Sequence, residues 1–461
     1  MLRSVRSPSV ESFRAEIMDR ILDAQFSHSG IADEREDQVS RLNLMRRFRT
    51  AGLSWLLALG LLAVGAQRIW AQQQDQDELR GVPAEPTDAA EIRAQMAIAQ
   101  DLLGKTADQG AIFYFLAASH AQLQEVLPAI EQLQKCVALK EGFDPSGDNT
   151  FGAIKDSADF RHIVEQVHKD FPAVNQTKVA FTSTDKDIFP EGLEYDPGND
   201  SFYLSSMYHP KILKISSDGK AEEFVAASRY GLLPVLGIRM DPADGTIWSN
   251  SANEDTGKSE LLHFDRAGTL LGRYGLQDNA KHEFNDLVVL RDGTIYLTDT
   301  LANEVYRFNE QEHTFKPMRL GRPMLSLNGV ALAEDGESLY VADQLGVLRV
   351  DLKTGASAEV DPGPHNTVAG IDGLYWHKGS LIGVQNGIGT PRVAVFRLSA
   401  DGLHVAKTTV LANNLTTPTT GAVKGDDFYF IVNSQADNLN GTHILDVTTL
   451  QPVRIAVAHL P

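Results

Sequence analysis

Residues 282–300 read HEFNDLVVLRDGTIYLTDT, and this stretch decides the fold. Leu287 to Leu290 forms an apolar strand, Asp292 and Gly293 a tight turn, and Thr294 to Thr298 a second, alternating strand. An Asp-Gly pair between two such runs is a hairpin signature, because these residues tolerate the positive φ that a short turn imposes. Asn285 and Asp286 stand just ahead of the first strand.

The same layout recurs five more times, in FPEGLEYDPGNDSFYLSS (189–206), PVLGIRMDPADGTIWSN (234–250), LNGVALAEDGESLYVAD (327–343), IDGLYWHKGSLIGVQNG (371–387) and TTGAVKGDDFYFIVNSQ (419–435). Aligned on the glycine that opens the first strand, or Asp286 in its place, the copies fall at Gly192, Gly237, Asp286, Gly329, Gly373 and Gly421, with gaps of 45, 49, 43, 44 and 48 residues. Periods of this length, with several strands and turn residues in each unit, are those of propeller blades. The chain is therefore expected to be mainly β, a six-bladed β-propeller over 177–461.

A third strand is predicted in each unit at KILKI (211–215), ELLHF (260–264), EVYRF (304–308), GVLRV (346–350), RVAVF (392–396) and THILDV (442–447). An outer strand is weaker, as in AEEFV (221–225) and PVRIAV (452–457). Either Lys178–Thr182 or Val453–Val457 is available to close the ring.

The residue before the aligned position reads Glu191, Leu236, Asn285, Asn328, Asp372 and Thr420 across the six copies. If the strands are innermost, their starts converge on the axis. Two carboxylates and two carboxamides then form a hard oxygen cluster without a soft ligand. Such a set suits one divalent cation in the propeller axis, Ca2+ above all, which takes six to eight oxygens in irregular geometry. Two like charges in a closed funnel also repel unless a cation neutralises them.

These blades resemble the calcium-dependent six-bladed propellers of the regucalcin and gluconolactonase superfamily, with diisopropylfluorophosphatase and paraoxonase as more distant relatives. FPEG, FNDLVVLRDGTIYLTD, LNGVALAEDGESLYVAD and GIDGL are similar to that family's metal-bearing segments, in the same order. The resemblance implies that Glu191, Asn285, Asn328 and Asp372 are calcium ligands. It also implies a small-molecule lactone or other ester as substrate, hydrolysed with metal assistance.

In that chemistry Asp372, with Glu191 as the second carboxylate, is the candidate to take a proton from water or to attack directly. Thr420, Leu236, Glu283 and His282 are candidates for contact with substrate. Two positions depart from the family pattern. Glu283 stands where sugar-lactone hydrolysing members carry an Arg, and Leu236 stands where paraoxonase-like lactonases carry a His. A non-catalytic propeller that binds a ligand or protein around a structural axial calcium is the alternative function.

Residues 45–71, MRRFRTAGLSWLLALGLLAVGAQRIWA, combine a basic start, an apolar run from Ala51 to Ala66 and a small residue, Ala71, before a polar stretch. This is the layout of a signal peptide or signal anchor. The preceding 1–44 reads either as a gene-model extension, with translation starting at Met45, or as a cytoplasmic tail, and the protein is expected to be exported, to a bacterial periplasm or beyond. Membrane contact is expected only through an uncleaved anchor.

Residues 72–86 read as a polar linker, and 87–172 turn to helical periodicity. Ile112, Phe113, Leu116 and Ala117, then Ile130, Leu133 and Val137, form two apolar stripes in helices that resemble a tetratricopeptide unit. So short a stack must cap the propeller or offer a groove to a protein partner. The lone Cys136 among apolar neighbours excludes an internal disulfide and reads as a small core residue. A count of 42 Lys and Arg against 61 Asp and Glu gives a net charge of -19, which excludes a nucleic-acid surface.

Overall fold

The computed structural model describes residues 89–183, 185–217, 219–441 and 443–461. The expectations for 1–44, 45–71 and 72–86 lie outside the described residues. All described residues belong to one unit, Glu85–Pro461.

Six four-stranded antiparallel sheets follow the predicted copies. Their first strands are Leu193–Asp196, Val235–Met240, Phe284–Val289, Val330–Leu332, Ile371–His377 and Gly421–Lys424. Each of these touches the first strand of the next sheet, and the sixth touches the first, so they form the inner wall of a closed ring. The chain is a six-bladed β-propeller. Closure removes the exposed sheet edge that an open arrangement would leave unpaired. Apolar faces of neighbouring blades form separate clusters, such as Leu339, Val341 and Leu348 against Val288 and Tyr296.

The hairpin of 282–300 forms as read. Phe284–Val289 pairs with Thr294–Asp299, and Gly293 takes φ +78° in the turn. Sequence reasoning misplaced the third strand of the sixth blade. Leu439–Asn440 pairs instead with His443–Ile444 in a short excursion, while Leu445 and Val447 are exposed. Arg454–His459 takes the third position because it buries Ile455, Ala456 and Ala458, and Lys178–Thr182 pairs outside it. Both candidate closing strands are thus used, and the two ends of the propeller segment are joined in one sheet.

Helices α1 (Ala89–Leu102), α2 (Gln109–Gln122), α3 (Val126–Ala138) and α4 (Ala158–Asp170) precede the blades, with short 3-10 turns at Pro145–Gly147 and Asn149–Ala153. Asp108 caps α2 by accepting from Ala111 N, and Ser157 caps α4 by accepting from Phe160 N. Helix α2 is buried nearly all round, at Ile112, Tyr114, Leu116, Ala117 and Ala121, because it is covered on several sides. Cys136 lies fully inside this core.

The same core continues into Leu325, Leu345, Ala369 and Ile388 of blades four and five. Asp144 N donates to Ile388 O and Thr390 N to Asp144 O, while Thr367 Oγ1 and Val368 N donate to Asp108 Oδ2. These propeller residues precede the inner strands or follow the second strands. The helices therefore sit on the face of the ring where the inner strands begin.

Candidate metal centre

The inner strands carry the six column residues into a closed circle whose tightness is visible at the glycines. A Cβ on Gly192 would come within 2.5 Å of Leu236 O, one on Gly237 within 2.5 Å of Asn285 O, and one on Gly329 within 2.4 Å of Asp372 O. A Cβ on Gly373 would lie 2.9 Å from Thr420 Cα, and Thr420 Oγ1 donates to Glu191 O, which closes the circle. Between blades three and four the link is Thr298 Oγ1, which donates to Asn328 O at 2.6 Å. The glycine after the column residue is thus a requirement of close approach between neighbouring backbones.

Three of the six pairs sit in β-bulges. Leu236 and Gly237 stand opposite Asn250, Asn285 and Asp286 opposite Thr298, and Asp372 and Gly373 opposite Val384. A bulge inserts one residue and re-aims its side chain, which simple alternation along a strand does not predict.

Within the circle, hydrogen bonding is incomplete. Asn285 Nδ2 donates to Thr300 Oγ1 at 3.0 Å, and Asn386 Nδ2 donates to Asp372 Oδ2. Asn328 also donates to Asp372. Yet Glu191 Oε2, Asn285 Oδ1 and Asn328 Oδ1 are buried with no hydrogen-bond partner in the protein. A buried acceptor left without a partner costs about 1–3 kcal/mol, more if charged, so three at one ring are not expected of a finished packing arrangement.

The electrostatics agree. Burial, then the charges of Asp372 and Asp286, push the Glu191 carboxyl well up. Burial also raises Asp372, opposed by the hydrogen bond from Asn386, with Asp286 adding to the rise. Among the described residues, no group of three or more His, Cys, Asp or Glu is gathered as for a metal ion. The donor set that fits a cation is therefore the mixed one, two carboxylates and two carboxamides with acceptors to spare. Hard oxygen donors of this kind fit calcium.

The remaining candidates fall around the circle. Leu236 and Thr420 are buried members of it. Glu283 lies two residues before Asn285, its carboxyl raised to about 7 by burial, then by Glu254 and Asp299, and its charge acts on Glu191. His282 is buried with Nδ1 2.6 Å from Asp299 Oδ2 and Nε2 2.9 Å from Asp278 Oδ1, so both ring nitrogens are engaged by carboxylates. Burial opposes the charge on His282, but the two carboxylates prevail and raise its pKa.

Just below the circle the chain supplies its own cation. Arg239 Nη2 lies 2.9 Å from Asp286 Oδ1 and 3.1 Å from Oδ2, and its guanidinium sits 5.2 Å from the Tyr375 ring centroid. A cavity of about 290 Å³ opens there toward the other end of the axis, lined by Glu194, Arg239, Tyr375 and apolar inner-strand residues. Burial raises the Glu194 carboxyl to about 7 against the pull of Arg239.

Sequence reading missed Arg239, Asn250, Thr300 and Asn386. Asn250 Nδ2 donates to Asn285 O at 3.0 Å and Asp286 O at 3.2 Å and so steadies the bulge. The last two follow the second strands of blades three and five, two residues beyond the positions that face the column. Comparing that position between copies, as the column itself was compared, would have found them.

Several solved structures are similar to parts of the chain at low identity. A gluconolactonase from Xanthomonas campestris is 19% identical over 62% of this chain and 89% of that one, with a TM-score of 0.43. An aldose sugar dehydrogenase from Streptomyces coelicolor, in its PQQ-bound form, is 15% identical over 62% and 99%, with a TM-score of 0.45. A virginiamycin B lyase from Staphylococcus aureus is 16% identical over 62% and 99%, with a TM-score of 0.42. No curated protein matches the chain. Residues 189–433, more than half of the sequence, match the family described as SMP-30/Gluconolactonase/LRE-like region, and the chain belongs to that family.

Proposed function

We propose that the protein is an exported, calcium-dependent hydrolase of a lactone or other ester. Family membership supports a lactonase-type hydrolase at the level of the family. The observation that carries the finer reading is the set of unpartnered oxygens on Glu191, Asn285 and Asn328, gathered beside Asp372. Glu191, Asn285, Asn328 and Asp372 would hold the ion. When bound, calcium supplies Lewis-acid polarisation of the carbonyl and charge to stabilise the oxyanion.

The chain's own residues do the rest. Asp372 takes the proton from the attacking water, held in orientation by Asn386 and Asn328. Glu191 supplies the second carboxylate, whose charged form a bound cation would favour against burial and the neighbouring Asp372 and Asp286. Thr420 Oγ1 ties the sixth blade to the first through Glu191 O, so this carboxylate is carried by a fixed backbone. Leu236 and the Glu283 loop border the ring. Export is supported by the sequence of residues 45–71 alone.

A panel of lactones and aryl esters assayed with calcium and with a chelator tests this reading. Turnover that needs calcium and collapses in Asp372→Asn is the expected result. Calcium binding without turnover on any ester would move the reading to a ligand- or protein-binding propeller with an axial calcium. Recovery of the protein outside the cytoplasm tests export, and retention inside would overturn it.

A further inference from the structure

A second cavity lies against the back of the metal ring, and its outer wall is not made by the propeller core. It has a volume of about 330 Å³ and fourteen lining residues, among them Asp148 and Asn149 from the helical segment, Asn386 and Thr419 beside the ring, and Ser434 and Asp437 from the sixth-blade excursion. Two of these reach the ring directly. Asn386 Nδ2 donates to Asp372 Oδ2, and Thr419 Oγ1 donates to Glu191 O at 3.2 Å.

The helical wall is fixed in place. Asp148 Oδ2 accepts from Tyr114 OH at 2.8 Å and Oδ1 from Thr150 N at 2.9 Å. A Cβ on Gly389 would come within 1.9 Å of Asp144 O, so the 3-10 turns lie in close contact with the loop of blade five. The packed core from α2 through Ile388 holds this contact.

Nine of the fourteen lining residues are polar, with hydroxyls, carboxamides and two carboxylates but no Lys, Arg or His. Asp148 and Asp437 both line this space, Asp437 at its exposed edge, and desolvation with the charge of Asp148 raises the Asp437 carboxyl. A ligand bearing negative charge meets repulsion there, whereas a neutral or cationic hydroxyl-rich one finds many hydrogen-bond partners.

We propose that the helical segment and the sixth-blade excursion build a specificity pocket for the candidate site, which admits neutral or cationic hydroxyl-rich ligands and rejects anionic ones. This rests on the reading of the ring as the reaction centre. Asp148, Asn149 and Asp437 are its specificity residues, and the helical segment is a functional part of the site as well as a cap.

The test is ligand-observed NMR with three probes of equal size, a hexitol, the corresponding aldonate and an amino-hexitol, on the full protein and on Asn149→Trp and Asp437→Lys. Thermal melts establish that each variant is folded. The wild type is expected to bind the hexitol and amino-hexitol at least about fivefold tighter than the aldonate, the scale of one partly exposed charge interaction. Asn149→Trp should abolish binding of all three, and Asp437→Lys should raise aldonate binding severalfold. Equal binding of the aldonate by wild type, no binding of any probe, or unchanged binding in Asn149→Trp would overturn the proposal. Wild-type turnover on a lactone panel is read separately. Probe binding without turnover would remove the hydrolase reading and leave the pocket standing.

Discussion

Two adjacent layers of the propeller axis solve the same problem in opposite ways. In the layer just below the ring, Asp286 and Glu194 lie near Arg239, whose side chain is 11% exposed, and the guanidinium contacts both oxygens of Asp286. A few ångströms along the inner strands, Glu191 and Asp372 share a ring with two carboxamides, and three oxygens there have no partner. Where the chain provides a cation, the acceptors are satisfied. Where it does not, they are left open, and that contrast points to a cation from solution.

Five single substitutions and one double variant test this contrast. The largest effect is expected for Asp372→Asn, which removes the proton acceptor and one ring charge. Turnover on any accepted ester should fall by about 10³-fold, some 4 kcal/mol, measured as kcat/KM at saturating calcium. A fall of less than tenfold would leave Asp372 a ligand only.

Arg239→Met strips the built-in cation from the layer below the ring. Leaving Asp286 buried without a partner should cost about 3 kcal/mol in chemical denaturation, with most of it regained in Arg239→Met/Asp286→Asn. Equal stability of wild type and the single variant would contradict the assignment of a compensating ion pair.

Gly329→Ala would set a Cβ 2.4 Å from Asp372 O and is expected to cost about 2 kcal/mol, with calcium affinity reduced as Asp372 is displaced. Gly293→Ala is its control. That turn has φ +78° with open space around it, so about 1 kcal/mol is lost and calcium affinity is unchanged.

The smallest effect concerns pH. Glu194 is raised from 4.5 to about 7 on folding, so its contribution to stability is complete below pH 4.5 and is lost as the pH climbs to about 7. Glu283, raised to about 7, and Glu141, raised to about 8, act with the same sign. Glu194→Gln should therefore flatten part of the decline in denaturation midpoint between pH 4.5 and 7, and an unaltered slope would mean that desolvation beside Arg239 does not raise the Glu194 carboxyl.

Much of this was legible in the sequence because a propeller repeats its chemistry. The six glycine-marked strand starts identified the blades, and the column before them identified the ring. What stayed hidden is what repetition does not encode. THILDV has the composition of a strand, but Arg454–His459 buries more apolar surface in the sheet and takes the position. Arg239 reads as an ordinary strand residue, since nothing local shows that its partner Asp286 comes from the next blade. The placement of the helices over the ring depends on contacts such as Asp108 with Thr367, which lie 259 residues apart.

Calorimetric titration of the metal-free protein with calcium, beside Asp372→Asn, tests the central claim most directly. One site is expected, which stabilises the wild type by about 3 kcal/mol at a hundredfold excess over Kd and is markedly weakened in the variant. Absence of calcium binding by the wild type, or equal binding by the variant, would contradict it.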